Sequence, residues 1–205
     1  MVYRVYVEKK EALANEARAL LEDLREFLGI RSLTGIRLLN RYDLENINRE
    51  LFDYAVKTVL SEPQLDTVSY DPPEGSAVFA VEYLPGQYDQ RADSAAQCVQ
   101  LLTGGERPRV VTARVVCLEG EVSDADFDRV QAYLVNPVES RVASLEKPDT
   151  LDMTAARPED VRRVEGFIRM TDDEIEAYWR EMGFAMTPSD LAFCRDYFRD
   201  EEGRD

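Results

Sequence analysis

The stretch Leu84-Pro85-Gly86-Gln87-Tyr88-Asp89-Gln90-Arg91-Ala92-Asp93-Ser94 gathers amide, guanidinium and hydroxyl groups at one junction. It joins an apolar strand pattern, Ala77 to Tyr83, to a helix pattern whose core face is Ala92, Ala95, Ala96 and Val99. Asp89, or the Gln-Tyr turn before it, can cap that helix. Gln87, Gln90, Arg91 and Ser94 are then left as donors and acceptors with no partner in their own segment. Such groups at a helix start suit recognition of carbonyls and anions rather than bond-making. The competing reading is a solvated helix start that is polar for ordinary reasons.

Candidates for covalent or metal chemistry are few. There is no histidine, which removes the commonest general base at neutral pH and the commonest metal ligand. Cys98, Cys117 and Cys194 have no metal-type spacing, and each falls on an apolar helix or strand face, which predicts buried free thiols. Cys98 as a nucleophile would lack a base. Glu119, Glu121, Asp124, Asp126 and Asp128 cluster around a turn and helix start, where acids favour the helix dipole more readily than they build a metal site. Gly104-Gly105 reads as a helix end, since no phosphate-loop pattern stands beside it. The expectation is a chain with no catalytic, cofactor-binding or metal residues of its own.

At 205 residues and 44% apolar content the chain can bury one good core and a small second one. A formal net charge of -16 argues against nucleic-acid and anionic-membrane partners, which need a clustered positive surface. No run has the length of a membrane span and Met1-Val2-Tyr3-Arg4-Val5 enters directly into strand pattern, so a cytoplasmic protein is expected.

The elements that would position the loop follow from periodicity. Val2 to Val7 alternates as a strand that is apolar on both faces, so both faces should be covered. Leu13, Ala17, Leu20, Leu21, Leu24, Phe27 and Leu28 then recur at helical spacing until Gly29. A second strand runs from Gly35 to about Leu44. Asn48 caps a helix carrying Leu51, Phe52, Ala55, Val59 and Leu60, and a short strand follows at Thr67 to Tyr70. Shifting the sequence by 75 residues repeats this order: Val2 to Glu8 falls on Ala77 to Tyr83, Leu24 on Val99, Gly29 on Gly104, Ile36 on Val111 and Asn48 on Ser123. The expected fold is α+β: a duplicated βαβαβ unit, repeats 2–70 and 77–145, with antiparallel or mixed sheets and covering helices in a domain spanning 1–145.

From 146 to 205 the character changes to a linker domain. An extended stretch containing Pro158 leads into a helix capped by Thr171 and Glu174 and a last helix opened by Thr187-Pro188. So short a helix pair cannot bury Trp179, Phe193 and Phe198 alone, so this face should dock on the repeat domain or drive self-association.

The run LPGQYDQRADSAAQCVQLL from Leu84 to Leu102, with Asn136-Pro137-Val138-Glu139-Ser140-Arg141 and the close Tyr197 to Asp205, resembles the N-terminal region of the large, single-chain form of phosphoribosylformylglycinamidine synthase. The resemblance implies a duplicated small-structural-subunit-like domain plus a linker domain, together a non-catalytic fragment. The ATP-dependent synthetase domain, with its magnesium, and the glutaminase would lie beyond Asp205 and be its partners. Gln87, Gln90, Arg91 and Ser94 would then contact the synthetase domain near its substrate or ammonia entry. Two other readings stand beside this one: a stand-alone small-ligand-binding regulatory module with its site between the halves, and an enzyme using Cys98 or the acidic cluster.

Overall fold

The computed structural model describes residues 1–152, 160–161 and 163–204; Pro158 and Asp205 lie outside the described residues. Its contacts divide the chain into two units, Met1–Met153 and Thr154–Asp205. The architecture is α+β.

The first unit holds six strands: β1 (Tyr3–Lys9), β2 (Leu33–Glu45), β3 (Asp66–Ser69), β4 (Ala77–Tyr83), β5 (Arg109–Gly120) and β6 (Ser140–Ala143). They form one sheet of order β3-β1-β2-β5-β4-β6, antiparallel at every pairing. Its helices are α1 (Asn15–Glu26), α2 (Arg49–Ala55), which continues as a π-helical turn through Val56–Leu60, α3 (Gln90–Thr103) and α4 (Asp124–Leu134). Each end has a local cause. Asn48 Oδ1 accepts from Leu51 N, Asp89 Oδ1 from Ala92 N, and the Ser123 hydroxyl from Asp126 N, so three helices begin at side-chain caps. Gly104 ends α3 at φ +65°, in the left-handed region that a side chain disfavours.

The strand pairing repeats on itself. Tyr3 pairs with Leu44 as Ala77 pairs with Leu118, and Tyr6 with Ser69 as Ala80 with Ala143. Counterparts in the strands are thus 74 residues apart, whereas the helix caps Asn48 and Ser123 are 75 apart. This corrects the uniform 75-residue register for the strands: Val5 is the counterpart of Phe79, and Leu44 of Leu118. A slip of one residue would have turned every strand side chain to the wrong face.

Two of the three core clusters lie where helices cover the sheet, and each mixes the two halves. Ala95 and Val99 of α3 join Val5, Val7, Tyr42, Leu44, Phe52 and Val56 from the first half. Leu24 of α1, with Ile30, Leu33 and Ile36 beside it, joins Phe79, Val116, Leu118 and Val130 from the second. The first helix of each half therefore completes the other half's core. Fully buried side chains such as Leu24 and Phe52 contribute roughly 1.5–3 kcal/mol each.

The third cluster, Tyr6, Leu39, Ala80, Ala113, Val115, Cys117 and Ala143, lies on the opposite face and holds no helix residue. The segments after β3 and β6 help to cover it. A Cβ at Gly75 would lie 3.3 Å from Cys117 Cβ, while Leu145 O and Glu146 O accept from Arg4 at 2.7 and 3.2 Å. Beside this cluster runs a chain of charges. Arg4 holds Asp43 through two bonds of 2.6 and 2.8 Å, Arg41 lies between Asp43 and Glu82, and Arg141 holds Glu82 at 2.7 Å.

Two further expectations change at helix ends. Leu13 sits in a separate 3-10 turn, Glu11–Leu13, and Phe27 follows the last residue of α1; both are exposed, so the core stripe of α1 is carried by Ala17, Leu20, Leu21 and Leu24.

In the second unit a 3-10 turn (Phe167–Arg169) precedes α5 (Asp172–Met182) and α6 (Pro188–Tyr197), and a π-helical turn follows (Phe198–Glu202). Both helices start with capping boxes, Thr171 with Glu174 and Thr187 with Asp190. Ile175 and Leu191 are buried, and so is Arg195, whose Nη1 donates to Met170 O and Asp172 Oδ1 at 2.9 and 2.8 Å.

Candidate functional site

The junction after β4 is built around Asp89. Its Oδ1 caps α3 and its Oδ2 accepts from the Thr112 hydroxyl at 2.7 Å, which ties the helix start to β5. Ala92, Ala95, Ala96 and Val99 bury the inner face of α3, leaving Gln90, Arg91 and Ser94 on its outer side. Gln87, Gln90, Arg91 and Ser94 are all exposed. Of their side chains only Arg91 makes a hydrogen bond within the described residues, from Nη1 to the Tyr42 hydroxyl at 3.3 Å. Tyr88, also exposed, donates to Asp93, which holds its hydroxyl above the ordinary phenol value; Asp93 in turn pairs with Arg107 at 2.5 Å.

The structure brings Gln90 and Arg91 together in the wall of a cleft of about 610 Å³ over the middle of the sheet, lined also by Glu16, Asn40, Thr112 and Arg114. A second cleft of about 340 Å³ shares Glu16, Asn40, Arg91 and Arg114 and continues to Lys9 and Asp66. Gln87 instead lines a separate depression with Arg107 and Asp152, and Ser94 lines none of these three. The four residues thus share one exposed turn but not one pocket. Sequence reasoning missed Glu16, Asn40 and Arg114. The available signal was Arg114 standing in the middle of an apolar strand, where it now pairs with Glu16 at 2.6 Å.

The cysteines divide. Cys117 is fully buried, and burial pushes its thiol up to about 11, away from the reactive thiolate. Cys98 is exposed, contrary to expectation, because it lies one residue before the buried Val99 and so about 100° around the helix. Cys194 is half-buried. Asp124 and Asp126 stand in the first turn of α4, and among the described residues no group of three or more acids or cysteines could hold a metal ion.

In the second unit Trp179 is half-buried and donates its indole N–H to Met186 O, Phe198 is half-buried with its ring 5.7 Å from that of Tyr197, and Phe193 is 71% exposed. The three therefore do not form one uniformly open face. Among the described residues no helix is long and apolar enough to cross a membrane. No protein-family model matches this chain, and no curated protein matches it.

Proposed function

We propose that this chain is a non-catalytic structural and docking region of a phosphoribosylformylglycinamidine synthase, built by duplication of one small α+β unit and acting in the cytoplasm. In this reading it holds the synthetase domain, with its ATP and magnesium, in register with the glutaminase. The observation that carries the reading is the first turn of α3. Its buried face and double-anchored Asp89 fix the helix, while Gln87, Gln90, Arg91 and Ser94 remain outward with one weak hydrogen bond among them. Side chains so placed do little for the core and are positioned to meet a partner.

The test uses the full-length synthase carrying this region. Replacing Gln90 and Arg91 together by alanine is expected to reduce glutamine-dependent synthesis while altering stability by under about 0.5 kcal/mol, the usual cost of a surface substitution. Unchanged turnover with a large fall in melting temperature would assign the turn a structural role and end the proposal.

A further inference from the structure

The charged chain beside the third cluster has an unequal count. Arg4, Arg41 and Arg141 alternate with only Asp43 and Glu82, so three guanidiniums share two carboxylates in a protein whose overall charge is -16. Arg4 and Asp43 satisfy each other in a bidentate pair, and Arg141 and Glu82 meet at 2.7 and 2.8 Å. Arg41 is the residue left short. It is 3% exposed, and its Nη1 donates to Ser144 O at 2.6 Å. Its Nε is buried and lies 3.3 Å from Asp43 Oδ2 without hydrogen-bond geometry, and its Nη2 is 3.8 Å from Glu82. A guanidinium has five donors, and leaving buried ones unmade costs more than a surface bond would return. Burial lowers the Arg41 pKa, with Asp43 and Glu82 opposing and Arg4 adding to the fall.

The fold does not need these charges. The strand counterparts of Arg4, Arg41 and Asp43, 74 residues on, are Val78, Val115 and Cys117, and those residues cover the equivalent part of the face with apolar packing. The other end of the face keeps only one, more exposed pair, Arg37 with Glu8, the counterpart of Glu82. Apolar replacement of a buried ion network is commonly neutral or stabilising, so the buried Arg4, Asp43 and Arg41 call for another use. The geometry supplies one. Arg4, Arg41 and Arg141 line a cavity of about 550 Å³ together with Asp43, Glu82 and Ser144, and the exposed Glu146, Lys147 and Asp149 stand at its rim. Arg141 closes the run that begins at Asn136. Ser140 and Asn136 lock that turn through three hydrogen bonds, of 2.8, 3.0 and 3.0 Å, and so set Arg141 opposite Glu82.

We propose that this cavity binds a small molecule through an oxyanion, a phosphate or a carboxylate, held between Arg41 and Arg141. The anion supplies a close acceptor to Arg41 Nη2, which otherwise has Glu82 only at 3.8 Å. The site is separate from the docking turn of α3 and stands whether or not that reading holds.

The experiment titrates the whole chain with inorganic phosphate and, separately, with acetate at matched ionic strength in a chloride background, by calorimetry and by thermal shift. Saturable one-to-one binding of either probe is expected, and which one binds distinguishes the two sources of the oxyanion. Arg141→Gln, at a half-exposed position, is expected to weaken binding about tenfold or more, as loss of one charge-assisted hydrogen bond does. Gln90→Ala with Arg91→Ala is expected to leave it unchanged. Arg41→Lys serves as a second variant that keeps the charge and removes the fork. No saturable binding of either probe, or binding indifferent to Arg141→Gln, overturns the proposal.

Discussion

Asn40 and Arg114 are paired across the two central strands, and each is the other's counterpart under the 74-residue relation. The pairing pattern of the sheet is therefore centred between these two residues, whose side chains lie on the face covered by helices. Both line the two clefts that Gln90 or Arg91 borders, so the clefts lie where the halves meet.

Exchange of the first helices between halves predicts where a core truncation is felt. Leu24 belongs to the first half in sequence but packs in the cluster with Phe79, Val116 and Leu118. Leu24→Ala is expected to cost about 3 kcal/mol. Amide exchange should show lost protection chiefly in β4, the start of β2 and the end of β5. Deprotection centred on β1 and β3 would contradict the exchanged packing.

Two glycines separate conformational strain from collision. Gly104 has φ +65° and open space around a would-be Cβ, so Gly104→Ala is expected to cost about 1 kcal/mol. Gly120 has φ +109°, and a Cβ there would lie 2.8 Å from Thr34 N and closer still to Ser32 O. Because both neighbours are backbone at the irregular start of the β2–β5 pairing, Gly120→Ala is expected to cost at least about 3 kcal/mol in denaturant melts.

Cys117 gives a pH signature at the alkaline side. Its folded-state value, about 11, is above that of a free thiol, so the folded chain holds a proton that the unfolded chain releases. The associated stability is fully present below about pH 8.5, the ordinary thiol value, and is lost as pH rises through about 11. The total is about 3 kcal/mol. Melting temperatures of wild type and Cys117→Ala should converge across that window; parallel curves would refute the assignment.

The helix caps test the equivalence of the halves energetically. Asn48→Ala and Ser123→Ala each remove an acceptor from one backbone N–H, of Leu51 and Asp126 respectively. Each is expected to cost about 1 kcal/mol in equilibrium unfolding, with the double variant additive. A cap with no measurable cost would mean that its helix start is held by other contacts.

The Asp89, Asn48 and Ser123 caps, the helix end at Gly104 and the limits of β4 were legible in the sequence because each rests on local stereochemistry. The offset was misread in the strands because the caps and helix faces set it at 75, and because β1 and β4 carry apolar side chains on both faces, so a register slipped by one residue still matches apolar to apolar. Which helix completes which core was not legible, since periodicity marks an apolar face without naming what it meets. The ion chain was hidden for a related reason: Arg4 and Asp43 stand in adjacent positions only because β1 pairs with β2 in that register. Arg91 and Gln90 were found from their type and place, but their cleft depends on Glu16, Asn40 and Arg114, which only the folded sheet brings beside them.

A surface with a true half-turn symmetry gives a visitor two equally good ways to land. Here the positions flanking the centre of the pairing are filled unequally: asparagine at 40 answers arginine at 114, and Glu16, at the helix offset of 75, answers Arg91. A partner that presents a carboxylate to Arg91 would, turned through half a revolution, present it to Glu16 and meet repulsion. The frame is nearly symmetric but the lock is not, so a partner that docked on this face would do so in one direction.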